Sequence, residues 1–280
     1  MERDSKVVPV NAGNVAERAS LSGGPLLAES EPSPFRIVRP DGSSPFVFIC
    51  DHASRRIPQS LGSLGLSETE LSRHIAWDIG AAAVTERLSE NFNATAAFQN
   101  YSRLVIDCNR CLEVFNSIPS ISEDTLVPGN NDLGEAERQV RVDEIFTPYH
   151  NAISQILDDR AAQNRDTILV SVHSFTPLFK GFQRPWDFAV VYNRDPRLSH
   201  IVLDLLGADG DLNLGDNEPY YLSDETDYTL PVHGEQRHLP HTQFEIRQDL
   251  IETPKQQSMW ADRLTDTLKR ALEKLNKGNI

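Results

Sequence analysis

The chain has 280 residues, with 27 Lys and Arg against 41 Asp and Glu, a net charge of −14 at pH 7. A surface this acidic repels phosphates, which argues against nucleic acid and anionic membrane faces as partners, and no apolar run reaches the roughly 18 residues of a membrane span. Three cysteines cannot all pair, so the chain reads as a globular protein of a reducing compartment, expected in the cytoplasm, with 39% hydrophobic residues to build a core.

Residues 1–35 are rich in Ser, Gly, Pro and Glu and are expected to form a mobile arm or a surface strap. Residues 36–280 are expected to make one domain. Four short apolar, β-branched or aromatic runs read as strands buried on both faces. They are Phe46-Val47-Phe48-Ile49-Cys50, Leu104-Val105-Ile106, Ile168-Leu169-Val170-Ser171-Val172 and Phe188-Ala189-Val190-Val191-Tyr192. Ser67 with Glu70 has capping-box spacing, and Asp132 with Glu135 is a second helix-start signal. Helices are expected over 78–90 and 135–159, the second kinked or restarted at Pro148. Trp260, Leu264, Leu268 and Leu272 recur every four residues, the apolar stripe of a final helix packed on the sheet. Strands alternating with helices imply an α/β fold of three layers, a mixed and mainly parallel sheet flanked by helices. The stretch 208–229 holds seven acids among Gly, Asn and Pro. It reads either as a solvated loop or as a lid over an active site.

The chemistry concentrates in a few places. Asp51-His52 follows the strand ending at Cys50, and His173-Ser174 follows the strand ending at Val172. The carboxyl ends of strands are where open α/β sheets bind ligands. Two imidazoles delivered there suit a zinc ion with a carboxylate and a water completing it. Asp78 is either that carboxylate or an acid complementing a helix dipole. Arg103 and Arg110 bracket Leu104-Val105-Ile106, and arginine forks bind carboxylates bidentately, so they point to an acidic substrate or to internal ion pairs. Cys108 and Cys111 form a lone C-x-x-C, weak as a zinc or redox motif. In Gln243-Phe244-Glu245-Ile246-Arg247-Gln248 a strand would send Glu245 and Arg247 to one face, where Glu245 could serve as a general base. His150 and His233 are further polar candidates.

Together these segments resemble the N-formylglutamate amidohydrolase family. The match rests on Asp51-His52-Ala53-Ser54-Arg55-Arg56-Ile57-Pro58, on Tyr101-Ser102-Arg103-Leu104-Val105-Ile106-Asp107-Cys108-Asn109-Arg110, and on Pro148-Tyr149-His150. It continues through Val172-His173-Ser174 and Phe244-Glu245-Ile246-Arg247-Gln248-Asp249-Leu250. The resemblance implies a fold similar to zinc carboxypeptidases, with Zn²⁺ held by His52 and His173 and Glu245 as the base. The family's carboxypeptidase relatives use H-x-x-E for the first ligands, but Ala53-Ser54-Arg55 follows His52, so the acid comes from elsewhere. Asp78 is the expected ligand and Asp51 the next candidate. Asn109-Arg110 is similar to the Asn-Arg pair that holds a terminal carboxylate in carboxypeptidases, with Arg103, His150, Ser174 and Arg247 as further substrate-binding residues. The implied activity is hydrolysis of the N-formyl, or another short N-acyl, group of an acidic amino acid such as N-formyl-L-glutamate. The partner is then a small molecule, and a homo-oligomer is compatible with the sequence. The rival is a metal-binding relative without turnover, a sensor or a degenerate enzyme.

Overall fold

The computed structural model describes residues 24–277. Seven strands form one sheet: β1 (Phe35–Val38), β2 (Phe46–Cys50), β3 (Thr95–Gln99), β4 (Ile168–Phe175), β5 (Phe188–Val191), β6 (Leu214–Asp216) and β7 (His241–Arg247). Their spatial order is β1-β3-β2-β4-β7-β5-β6. The central four, β3, β2, β4 and β7, run parallel. β1 is antiparallel at one edge, and β5 with β6 runs antiparallel to β7 at the other. The helices are α1 (Glu68–Leu71), α2 (Ala81–Phe92), α3 (Glu135–Arg141), α4 (Thr147–Ala162), α5 (Arg197–Gly207) and α6 (Pro254–Lys277).

The period of two along the strands divides the core. Phe46, Phe48, Val170, Val172, Phe244 and Ile246 face α2, α5 and α6, where Trp260, Leu264 and Leu268 supply the expected stripe. Val47, Ile49 and Leu169 face the opposite layer, built from α4 through Tyr149, Ile153 and Leu157 and from the connections before it. This is a three-layer α/β architecture with a mixed, mainly parallel sheet. No helix among the described residues is long and apolar enough to cross a membrane.

Several local expectations are corrected. Leu104-Val105-Ile106 is a buried turn and not a strand. Side chains replace the missing ladder: Asn130 donates to the Leu104 carbonyl at 2.7 Å, and the fully buried Arg141 donates to the Val105 carbonyl at 2.9 Å. A short apolar run cannot distinguish these two ways of being buried. Ser67 and Glu70 do form a capping box, but α3 is capped by Gly134, whose N–H donates to Glu137, rather than by Asp132. The expected irregularity at Pro148 takes the form of a wide π turn over Val142–Phe146, after which α4 restarts at Thr147 with Pro148 in its first turn.

Of the expected N-terminal arm, residues 1–23 lie outside the described residues. The part that follows is pinned. Leu26 is fully buried, the N–H groups of Leu26 and Leu27 donate to Glu144, and Tyr101 donates to the Pro32 carbonyl.

Candidate active site

The site arises where one face of the sheet turns from apolar to polar. Along β4 that face reads Leu169, Ser171, His173; along β2 it reads Val47, Ile49 and then Asp51; along β7 it reads His241, Gln243, Glu245. The parallel register sets Gln243 beside Ser171 and Glu245 beside His173. β4 runs on to Phe175, so His173 sits inside the strand and not beyond its end as expected. His52 comes from the turn after β2. Asp78 precedes α2 rather than sitting in its first turn, its N–H donating to the His52 carbonyl at 3.0 Å. The turn between Asp78 and α2 requires Gly80: its φ is +81°, and a Cβ there would stand 2.3 Å from the Ile251 carbonyl oxygen.

Three potential ligand atoms converge. His173 Nδ1 lies 2.8 Å from Asp78 Oδ2 and 3.2 Å from His52 Nδ1, and His52 Nδ1 lies 3.2 Å from the same Asp78 oxygen. Ligands on a tetrahedral zinc, at about 2.0–2.2 Å from the ion, stand about 3.3–3.6 Å apart, so the triangle is close to that size. The opposite ring nitrogens are already committed. His52 Nε2 donates to Asp107 Oδ1 at 2.7 Å; His173 Nε2 donates to Ser171 Oγ at 2.9 Å, with Asp51 Oδ2 at 3.4 Å. With protons on those nitrogens each ring presents an Nδ1 lone pair toward Asp78, the tautomer a metal ligand needs. Two lone pairs and a carboxylate oxygen facing each other repel unless a cation lies among them, and His52, Asp78 and His173 are therefore a donor set that fits a metal ion.

The surrounding acids favour positive charge in this cluster, carried by a metal ion or, without one, by protons on the imidazoles. Burial and Arg103 would lower the His52 pKa, but Asp107 and Asp78 outweigh them and raise it. Burial opposes ionisation of His173 as well, yet Asp51 and Asp78 lift it well above the ordinary histidine value. Asp78 and Asp107 are held below the usual carboxylate range, against burial, by the two imidazoles and by Arg103 respectively. Asp51 is fully committed inside: Tyr149, Thr229 and Ser171 all donate to it.

Glu245 differs from these acids. Burial pushes its pKa up to about 7, with the pull of His173 and the push of Asp78 acting in opposite senses. Gln243 Nε2 donates to its Oε1 at 2.8 Å, while Glu245 Oε2 and Gln243 Oε1 have no partner among the described residues. An unpaired buried acceptor beside a metal-ligand triangle is unusual in a folded core and suits a group that works on a bound molecule.

A cavity of about 290 Å³ opens over this cluster, lined by His52, Asp78, His173, Glu245, Arg103, Asn109, Arg110 and Ser174. The structure thus brings eight of the ten sequence-expected residues together. His150 is not among them: it lies under the site, 5% exposed, donating to the Cys108 carbonyl and facing His233 at 3.0 Å. Arg247 is likewise not among them, because it is drawn away into ion pairs with Asp187 and Asp249. Arg103 lines the cavity but spends its fork on Asp78 (3.4 Å) and Asp107 (2.9 Å). Arg110 pairs through Nη1 with Asp227, which its own loop holds through the Ser223 N–H and the Thr226 hydroxyl. The acidic stretch is therefore neither simply solvated nor simply loose. It contains β6, its Asp209 and Asp211 pair with Arg263, and Pro219, Tyr220, Tyr221 and Leu222 wall the cavity. Sequence reasoning missed the parts of Asp107, Gln243 and Asp227; the first two lay inside the very segments that raised suspicion.

A profile of the N-formylglutamate amidohydrolase family matches residues 44–252. Among solved structures, a gene product of Agrobacterium tumefaciens is 38% identical, with 90% of this chain and 99% of that one covered and a TM-score of 0.86. An N-formylglutamate amidohydrolase from Ralstonia eutropha is 19% identical, covering 88% of this chain and all of the other, at a TM-score of 0.63, and shares the fold. A search of curated protein sequences returned no match. The chain belongs to the N-formylglutamate amidohydrolase family, hydrolases that act on amide bonds.

Proposed function

We propose that the protein is a zinc-dependent amidohydrolase, built as one domain over residues 36–280, that removes the N-formyl or another short N-acyl group from an acidic amino acid such as N-formyl-L-glutamate. The observation carrying this reading is the meeting of His52, Asp78 and His173 in one small cavity with Glu245, whose Oε2 has no hydrogen-bond partner among the described residues. Zinc bound by His52, Asp78 and His173 would supply Lewis-acid polarisation and lower the pKa of a water toward about 7. Glu245, whose raised pKa suits proton exchange near neutrality, takes the proton of the water that attacks the acyl carbon. It then returns that proton to the departing amine nitrogen. Gln243 holds the Glu245 carboxyl in place through one oxygen, leaving the other for the water. Asn109 and Arg110 line the cavity and offer donors to the substrate's carboxylate, Arg110 through the nitrogens that its pair with Asp227 does not use.

A cavity of about 290 Å³ has room for a single amino acid derivative. Cys50, Cys108 and Cys111 are all free thiols, in keeping with a cytoplasmic enzyme. The test is to assay zinc-loaded protein against a panel of N-acyl amino acids beside Glu245→Gln. The expected outcome is turnover of an N-acyl acidic amino acid that Glu245→Gln abolishes while its zinc content stays stoichiometric. A wild type that binds zinc and hydrolyses none of the panel refutes the enzymatic reading and leaves a metal-binding protein.

A further inference from the structure

Tyr220 stands on the wall of the cavity, and behind it lies a buried cation that no acid neutralises. Arg184 is 4% exposed and follows the short hairpin formed by Leu178–Phe179 and Phe182–Gln183. In a protein with 41 acids, no carboxylate pairs with it among the described residues. Its guanidinium lies instead over the rings of Phe179 at 4.6 Å and Tyr220 at 4.9 Å, and Nη1 donates to the Tyr220 hydroxyl at 3.0 Å.

The direction of that bond matters. A guanidinium has donors only, so the Tyr220 oxygen must accept, and the phenol proton is left to donate elsewhere. No acceptor for it exists among the described residues. The phenol lines the same cavity as Glu245, Arg103 and the triangle of His52, Asp78 and His173. The bond from Arg184 polarises the phenol toward donation, while burial and Glu245 raise its pKa and keep the proton on it. Arg103, expected from the sequence to bind substrate, donates through Nη1 to Asp78 and through Nη2 to Asp107.

We infer that Tyr220 is a catalytic residue whose hydroxyl donates to the acyl oxygen of the substrate as charge develops there, and that Arg184 is the residue that positions and polarises it. This deepens the proposed function and rests on it. A preorganised donor aimed at a developing oxyanion acts on the chemical step more than on ground-state binding.

The test is steady-state kinetics of wild type, Tyr220→Phe, Arg184→Gln, Arg184→Lys and the Tyr220→Phe/Arg184→Gln double variant. Each is run with an N-acyl amino acid and with its α-amide, beside thermal melts. Tyr220→Phe is expected to lower kcat about 10²-fold with KM little changed, and to do so equally for acid and amide. Arg184→Gln loses most of the same factor, Arg184→Lys recovers part of it, and Arg184→Gln adds nothing in the Tyr220→Phe background. Full kcat in Tyr220→Phe overturns the inference. So does a loss confined to KM that vanishes with the α-amide, which would assign Tyr220 to the carboxylate. An Arg184→Gln penalty that persists in the Tyr220→Phe background reduces Arg184 to a structural role and overturns its half. No turnover by wild type overturns the proposed function and this inference together, whereas an active wild type with any of the other three outcomes overturns the inference, or its Arg184 half, and leaves the proposed function standing.

Discussion

The carboxylate anchor is the part of the site most open to a decisive substitution. Arg110 lines the cavity and donates through Nη1 to the Asn109 carbonyl and to Asp227; Nη2 and Nε have no partner among the described residues. Asp227 is 7% exposed and already accepts from Ser223 and Thr226, so it is a fixed acid rather than one that swings clear. Arg110→Lys keeps the charge but replaces a fork by a single ammonium. Asp227 would capture that ammonium, and nothing would remain to face the substrate. A lost charge-assisted hydrogen bond is worth about 1.5–3 kcal/mol, which is about ten- to a hundredfold in kcat/KM. The assay compares an N-acyl amino acid with the same compound amidated at the α-carboxylate. Wild type should prefer the acid strongly, and Arg110→Lys should have lost most of that preference while melting close to wild type. Equal discrimination by both proteins, with a lower melting temperature for the variant, would mean that Arg110 serves only its pair with Asp227.

Three further outcomes are expected. His52→Ala and His173→Ala each lose stoichiometric metal, measured by elemental analysis, and Asp78→Ala binds it more weakly; an Asp78→Ala protein with full zinc and activity would shift the third ligand to Asp51. Asp107→Asn removes the carboxylate that accepts from His52 Nε2 and should weaken metal affinity about 10- to 100-fold in a chelator competition, an unchanged affinity refuting the orienting role. Burial pushes His150 down to about 4 and His233 down to about 3, so below pH 6.5 the unfolded chain takes up protons that the folded one refuses, and stability falls as pH falls. Relative to a His150→Gln/His233→Gln variant, wild type should lose up to about 1.4 kcal/mol per pH unit per histidine between pH 6.5 and 4.5; parallel urea midpoints for the two proteins across that window would refute it.

Much of the frame was legible because it is written in local periodicity. The runs at Phe46, Ile168 and Phe188 are strands, and the four-residue row from Trp260 packs α6 on the sheet, since burial on two faces or along one stripe imposes a pattern on consecutive residues. Leu104-Val105-Ile106 misled because its burial is achieved by Asn130 and Arg141, which lie 26 and 36 residues away from the carbonyls they satisfy. No window of the sequence contains that information.

The site divides in the same way. His52, His173 and Glu245 stood out because each follows or ends an apolar strand run, and in a sheet whose central strands run parallel their carboxyl ends must meet. Which neighbours matter could not be read so. His150 and His173 look alike in sequence, yet one is sealed against Cys108 and His233 while the other stands in register with Glu245. Arg110 and Arg247 look alike too, but Asp227 holds the first at the cavity and Asp187 with Asp249 draws the second away. Strand order and register decide such choices, because a hydrogen bond needs its partner within about 3 Å whatever the separation along the chain. The residue types, and the metal-and-acid chemistry they imply, belong to the sequence by itself. The commitments of each fork, ring nitrogen and phenol, including the unspent proton of Tyr220, were decided only when distant segments were packed together.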